Sequence, residues 1–214
     1  MTLDKEDIYD IAKAVVKVIE DKDMMKSEEK KPEQRKNMAP LSSLYKGDRF
    51  LISGREWVVL LQDTEIDHFT LAITKECLKK QMIFDRKTNN WFSSSIRTKV
   101  NDIIQKEVIS QFGKNIIKKH ILETRSLDGT AGYNDFFENV GLLTFDCYRT
   151  FRMYIPQIDK QWVLATPYTS IDDNFICCVS PLGTIVKDVV SAKHNIRPVC
   201  ELSNEDILVE KVSD

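Results

Sequence analysis

Apolar residues near the N-terminus recur with the spacing of one face of an α-helix, from about residue 4 to residue 20. The stripe consists of Ile8, Ile11, Val15, Val18 and Ile19. The segment 21–40 is dense in charged residues, contains no aromatic residue and is interrupted by prolines, so it buries too little apolar surface to order itself. The pattern predicts an amphipathic helix within residues 1–20, a charged flexible linker at 21–40 and a folded domain at 41–214.

The predicted N-terminal helix needs a partner for its apolar stripe, because such a stripe is costly to leave in water. It can pair with a copy of itself or dock on the domain of its own chain. We favour a homodimer that forms through residues 4–20.

The pattern changes after residue 41 to short apolar runs separated by turn residues. Two β-rich runs flank Ser53-Gly54 within residues 49–62 and predict a hairpin. Further strands are predicted at 69–73, 162–165, 175–179, 184–186, 199–202 and 207–209. Helical spacing predicts a helix at 94–112 with Ser94 as its N-cap and Gly113 as its stop. Thr144 caps a second, short helix that ends by Pro156.

Short turns, not helical crossovers, join most of the predicted neighbouring strands. Such connections favour antiparallel pairing. The sequence therefore predicts an α+β fold, a compact mixed domain with a mostly antiparallel sheet and a loop-rich C-terminal half.

The composition argues against several classes of protein. The chain has 214 residues, 42% of them hydrophobic, and a formal net charge of −2, so no global basic field indicates nucleic-acid binding. The basic run 114–120 is interpreted as a solvated helix end, and weak, salt-sensitive contact with phosphate is the alternative. No apolar run has the length of a membrane span, and the acidic N-terminus lacks the pattern of a signal peptide. We therefore expect a cytoplasmic protein with no membrane partner and no dominant nucleic-acid contact.

The five cysteines are odd in number and irregularly spaced, and no Cys/His pattern has the spacing of a zinc motif. We expect reduced, mostly buried thiols, no metal and no cofactor. Cys177 and Cys178 are adjacent, so a strand would point them to opposite faces. A nucleophilic pair of Cys178 with His194 is the one enzymatic alternative, and no spacing favours it. We therefore expect a protein that is not an enzyme.

An ordered set of motifs gives a resemblance to a known family. The motifs are Trp91-x-x-Ser94-x-Ile96-Arg97, Leu142-Leu143-Thr144 with Tyr148, Ile155-Pro156, Trp162 with Thr166-Pro167, Gly183, and Ile196-Arg197-Pro198. Over about 41–209 the chain resembles a domain of unknown function found in phages and prophages of Firmicutes. Its final part also resembles the fold shared by C-type lectins and formylglycine-generating enzymes.

The resemblance implies a rigid scaffold with a loop-rich face that contacts ligands. The polar residues expected on that face are Tyr168, Asp172, Asp173, Asn174, Lys187, Asp188, Lys193 and His194. Trp91, Arg97, Trp162 and Arg197 belong to the signature. We interpret the two arginines as buried structural groups in preference to anion-binding forks, and the tryptophans as core residues.

These observations predict a non-enzymatic, phage- or prophage-encoded binding protein. The polar C-terminal loops would recognise a host protein or ribonucleoprotein, and inhibition of an antiviral system such as a CRISPR nuclease is a concrete version (an anti-CRISPR). The first alternative is a virion-associated or displayed ligand-binding domain of C-type-lectin type. The second is an enzyme that uses Cys178 and His194.

Overall fold

A computed structural model describes residues 37–130 and 133–213. Within these ranges the backbone forms fifteen β-strands, two α-helices and a 3-10 turn at Leu41–Ser43. The helices are α1 (Ser95–Phe112) and α2 (Phe145–Phe151). The strands are β1 (Met38–Pro40), β2 (Arg49–Ile52), β3 (Arg55–Asp63), β4 (Phe69–Thr74), β5 (Met82–Ile83), β6 (Ile117–Lys118), β7 (His120–Leu122), β8 (Phe136–Glu138), β9 (Val140–Leu142), β10 (Trp162–Pro167), β11 (Phe175–Val179), β12 (Ile185–Val189), β13 (Lys193–His194), β14 (Pro198–Ser203) and β15 (Leu208–Val212).

Eight of these strands form one large sheet in the order β1-β15-β2-β3-β4-β14-β6, in which β9 also pairs with β14. A second sheet consists of β10, β11 and β12, and the short strands pair as β5 with β13 and β7 with β8. All of these strand pairs are antiparallel. The predicted compact mixed domain with mostly antiparallel pairing is therefore confirmed.

The hairpin predicted around Ser53-Gly54 joins β2 to β3. Both turn residues have positive φ angles, 49° and 78°, which suits the right-handed twist of a two-residue hairpin. The Ser53 hydroxyl donates to the Glu107 carbonyl at 2.9 Å, and this bond ties the turn to α1.

Helix α1 is confirmed and ends at Gly113, whose φ of 89° is easily reached only without a side chain. Its start differs in detail from the prediction. The Ser94 hydroxyl donates to the Trp91 carbonyl and makes no cap bond. The Asp85 carboxylate instead accepts from the Ser95 amide at 2.8 Å, so the acceptor comes from a separate segment. In the described part of the chain, neither helix is long and apolar enough to cross a membrane.

The folded unit begins earlier than the predicted start at residue 41. Contacts within the chain delimit a compact unit from Asn37 onward, and β1 pairs with β15. Residues 38–40 therefore belong to the sheet and correct the C-terminal end of the predicted linker. The helix predicted at 4–20, the dimer contact assigned to it, and residues 21–36 lie outside the described residues.

The basic run 114–120 is not the solvated helix end that was predicted. After Gly113 the chain forms β6 and then β7, which pairs with β8. His120 is only 8% exposed, because alternation in β7 turns it and Leu122 inward while Ile121 faces solvent. The lysines before it masked this alternation in the sequence.

The large sheet has apolar residues on both faces. In β3, Trp57 and Val59 enter one core while Val58 and Leu60 enter the other. Helix α1 covers the first core through residues such as Ile104. Helix α2 and the second sheet contribute to the other core. This framework positions the ends of β10, β11 and β12, where the predicted site residues lie.

Candidate functional site

The structure separates the predicted site residues into distinct groups. Tyr168, Asp172, Asp173 and Asn174 lie in the connection from β10 to β11, which we call the recognition loop (residues 168–174). The other four were predicted in loops but lie on strands: Lys187 and Asp188 on β12, and Lys193 and His194 on β13. The hairpin pairing of β11 with β12 extends to Val189, which accounts for this correction.

The buried side-chain amide of Asn89 holds the backbone of the recognition loop. The side chain of Asn89 is fully buried, and its Nδ2 lies 2.8 Å from the Thr169 carbonyl, 3.2 Å from that of Asp172 and 2.9 Å from that of Phe175. Because these carbonyls lie at both ends of the loop, one side chain restrains the path of the backbone between them.

A tyrosine next to this amide reinforces the restraint. Tyr133 Oη lies 2.7 Å from Asn89 Oδ1 and 2.8 Å from Asp173 Oδ1, and its single proton bonds to one acceptor at a time. Burial and the Asp173 carboxylate raise the pKa of Tyr133 to about 12, so the phenol stays protonated. Asp173 was predicted as a binding residue, and its carboxylate also has this structural contact.

The neighbouring loop 126–130 supports the recognition loop from the side. The Ser170 amide donates to Thr130 Oγ1 at 3.1 Å, and the Leu127 amide donates to the Pro167 carbonyl at 2.9 Å. Hydrogen bonds from Thr169, Thr130 and Ser126 hold the pKa of Asp128 well below its usual range. Asp128 therefore stays ionised and accepts these bonds.

Within the recognition loop, Asp172 Oδ1 accepts from the amide and the side chain of Asn174, at 3.0 and 2.7 Å. The Asp172 side chain therefore shapes a local turn. Ile171, just before it, is 84% exposed, so an apolar side chain projects from a loop whose backbone is fixed. Ile171 was not among the predicted binding residues, because those were all polar or charged.

Lys187 lies beside the recognition loop. Its Nζ is 5.3 Å from the centroid of the Tyr168 ring and 4.6 Å from that of Phe175, within the range of cation–π contacts. The structure thus brings Tyr168, Lys187 and the loop together. Lys193 is separate from them: it is exposed and pairs with Ile83 of β5.

Asp188 and His194 meet Cys178 in a different, mostly buried cluster. Cys178 Sγ lies 3.9 Å from His194 Nδ1, and Asp188 Oδ2 lies 3.7 Å from the same nitrogen. Burial raises the pKa of the Cys178 thiol and lowers that of His194. A fully buried, protonated thiol next to a neutral imidazole is poorly suited to attack a substrate. The geometry brings the predicted pair together without activating Cys178.

The predicted opposite orientations of Cys177 and Cys178 are confirmed. Cys178 contributes to the first core and Cys177 to the second, where its thiol lies 3.7 Å from the Pro167 carbonyl. The five cysteines are free thiols; Cys77 and Cys147 are half-buried and the other three are buried.

Arg197 has the structural role that we expected. It is fully buried and donates to the carbonyls of Thr74 at 3.0 Å, Lys75 at 2.7 Å and Pro156 at 3.1 Å. Its Cζ lies 5.0 Å from the centroid of the Trp162 ring. Burial lowers its pKa to about 10, so the guanidinium stays charged at neutral pH.

Arg97 and Trp91 share one acceptor, the carboxylate of Glu138. Its Oε2 accepts from Arg97 Nε at 2.5 Å and from Trp91 Nε1 at 3.0 Å. The Arg97 guanidinium also lies near the rings of Phe92 and Phe136. These contacts link α1 to β8, but the Arg97 side chain is 29% exposed, so the prediction that it is buried is wrong. Trp57, Trp91 and Trp162 are core residues as predicted.

The structure also contains a groove that the sequence did not indicate. Its volume is about 390 Å³, and α2, β7 and the large sheet contribute to its lining, which includes His120, Cys147 and Glu201. Neither ring nitrogen of His120 has a hydrogen-bond partner among the described residues. Burial lowers the pKa of His120 to about 4 and raises that of Glu201 to about 7.

No protein-family model matches the chain, and no match was found among curated proteins or solved structures.

Proposed function

We propose that this protein is a non-enzymatic binding protein and that the recognition loop, with Lys187 beside it, contacts a macromolecular partner. The observation that carries the proposal is that the two N–H donors of Asn89 Nδ2 are shared among three loop carbonyls, in the loop from which Ile171 is exposed. A loop that is already ordered loses little conformational entropy on binding, so its exposed side chains contribute more to affinity.

The chemistry around Ile171 favours a protein partner. An apolar side chain surrounded by polar groups is the usual arrangement of an interface centre and its rim. Asp173 is exposed and acidic, Lys187 is exposed and basic, and the whole chain carries a net charge of −2. A surface that carries both acidic and basic groups lacks the continuous positive charge that binds a phosphate backbone. The partner is accordingly a protein, alone or as the protein part of a ribonucleoprotein.

The context for this proposal comes from the resemblance to phage and prophage domains. We propose that the partner is a host macromolecule in the bacterial cytoplasm, and that an inhibitor of an antiviral system such as a CRISPR nuclease is the most concrete form. The same proposal assigns the C-terminal strands to a C-type-lectin-like arrangement, in which irregular loops over a compact sheet form the contact surface.

The test has two stages. The full chain, tagged at its C-terminus, is expressed in a Firmicutes host, and proteins recovered in stoichiometric amount are identified by mass spectrometry. The purified partner is then titrated with wild type, with Ile171→Asp and with the control Ile66→Asp. Ile66 is 79% exposed and lies between β3 and β4, so the control adds the same charge at a matched exposure.

The proposal predicts that Ile171→Asp weakens binding at least tenfold while Ile66→Asp leaves it within twofold. Equal affinity of both variants would place the interface elsewhere. Recovery of the protein only in phage particles would instead favour the virion-associated alternative.

A further inference from the structure

Three side chains with metal-binding atoms converge from three strands. Cys178 comes from β11, Asp188 from β12 and His194 from β13, and one ligand atom of each lies within 4.8 Å of the other two. We propose that these residues form a zinc site, with the Cys178 thiolate, His194 Nδ1 and the Asp188 carboxylate as its protein ligands. This site is separate from the recognition loop and does not depend on the proposed function.

The orientation of the His194 ring supports this assignment. Its Nε2 lies 3.0 Å from the Val189 carbonyl, which can only accept, so Nε2 carries a proton. In the neutral ring, Nδ1 is then unprotonated and its lone pair faces Cys178 and Asp188. Metal-binding histidines usually show this arrangement, in which a carbonyl fixes the second ring nitrogen and presents the first to the metal.

The Asp188 carboxylate is also fixed by its neighbours. Oδ2 accepts from Gln161 Nε2 at 2.8 Å, and Oδ1 accepts from the Val189 amide at 2.8 Å. These bonds hold Asp188 Oδ2 at 3.7 Å from His194 Nδ1. Both atoms are hydrogen-bond acceptors, so their proximity is unfavourable unless a positive charge lies between them. The Cys178 thiol proton can bond to only one of these two acceptors, whereas a bound cation interacts favourably with the sulfur, the carboxylate and the imidazole nitrogen together.

The distances are close to those of a zinc centre. Zinc bonds of about 2.0–2.3 Å place tetrahedral ligand atoms roughly 3.3–3.8 Å apart. The separations of 3.9 and 3.7 Å from His194 Nδ1 lie within a few tenths of an ångström of this range. The Cys178 and Asp188 ligand atoms lie within 4.8 Å of each other and would move closer together on binding. On binding, the Cys178 S–H bond breaks, the sulfur bonds to zinc and the proton leaves to solvent.

The chemical types of the ligand atoms indicate which metal the site prefers. Thiolate and imidazole favour zinc over magnesium and calcium, which prefer oxygen ligands. The Asp188 side chain is 33% exposed, while those of Cys178 and His194 are buried, so the carboxylate marks the side from which the ion enters. A water molecule completes four ligands. The bound ion cross-links the second sheet to β13.

The experiment uses the full chain after treatment with a chelator. Zinc is titrated by calorimetry into wild type, Cys178→Ser, Asp188→Asn and the control Cys177→Ser, and cobalt is used as a spectroscopic probe. Cys177 is adjacent and buried but enters the opposite core. Circular dichroism establishes which variants are folded, and Asp188→Asn at a half-exposed position tests the site if Cys178→Ser does not fold.

We expect one zinc per wild-type and per Cys177→Ser chain. Affinity falls at least tenfold in Asp188→Asn and is lost in Cys178→Ser, together with the thiolate-to-cobalt absorption band. Magnesium gives no binding heat at this site. The inference is overturned if wild type binds no stoichiometric zinc, or if Cys178→Ser and Asp188→Asn bind it as tightly as Cys177→Ser does.

Discussion

Asn89 Nδ2 lies 2.9 Å from the carbonyl oxygen of Phe175, although 86 positions separate the two residues in the chain. The same amide reaches the carbonyls of Thr169 and Asp172. One buried side chain from the segment before α1 therefore contacts three backbone carbonyls in and next to the recognition loop.

Replacing Asn89 with alanine should loosen the recognition loop without unfolding the sheet. The three carbonyls lose a shared donor, which costs about 1–3 kcal/mol of the free energy of unfolding. Hydrogen exchange should become faster for the amides of residues 168–175, and exchange in β3 and β4 should keep its rank order. Asn90→Ala is the control, because the hydrogen bond that Asn90 Oδ1 accepts comes from the nearby Phe92 amide. Equal exchange in the two variants would contradict the role of Asn89.

Arg197→Met should destabilise the protein strongly. The methionine fills part of the space but leaves the carbonyls of Thr74, Lys75 and Pro156 without their donor. At about 1 kcal/mol or more for each, the free energy of unfolding falls by at least about 3 kcal/mol. Urea denaturation measures this change, and Arg152→Met at an exposed position should cost less than about 0.5 kcal/mol. Similar midpoints for both variants would refute the structural role of Arg197.

The buried imidazole of His120 contributes to the loss of stability in acid. Its pKa of about 4 lies below the unfolded value of 6.5, so the unfolded chain binds more protons between these values. Its contribution to stability is present above pH 6.5 and is lost as the pH falls toward 4. His120→Leu removes this dependence, and it also removes two buried nitrogens without partners. We expect the variant to be at least as stable as wild type at pH 7 and to lose less stability at pH 4.5. A steeper acid dependence in the variant would be the contrary result.

Glu201 lies in the same groove, and its effect on the free energy of unfolding should depend on pH in the opposite direction. Burial raises its pKa from 4.5 to about 7, so the folded state binds more protons between these values. Its contribution is present below pH 4.5 and is lost as the pH rises through 7. Glu201→Gln should therefore raise the melting temperature at pH 8 and change it little at pH 4. Glu205→Gln removes a carboxylate at an exposed position and serves as the control. A lower melting temperature of Glu201→Gln at pH 8 would contradict this account.

Local signals predicted the regular elements well. The positive φ angles of Ser53 and Gly54 follow from a two-residue turn, and Gly113 ends α1 where the sequence indicated. Such features depend on neighbours a few residues apart. Short strands such as β5, β6 and β13 were missed, because two residues carry no detectable alternation and form only when a distant partner is in place.

The site was harder to predict because it depends on register. Cys178 contacts His194 because of how β11, β12 and β13 are placed relative to one another in the fold. The spacing of residues in the sequence does not indicate this placement. Asn89 carried no signal apart from its place in an Asn-rich loop. Ile171 is an isolated apolar residue within a polar segment, and this pattern is the sequence signal for it.

Hydrogen exchange of the complex shows whether the recognition loop is the binding surface. The partner recovered from the host is mixed with the full chain, and exchange is compared with that of the free protein. We expect the strongest protection at residues 168–175 and on β12 around Lys187, with no change at the Ser53-Gly54 turn. Protection confined to other segments, with exchange at 168–175 unchanged, would show that the recognition loop is not the binding surface.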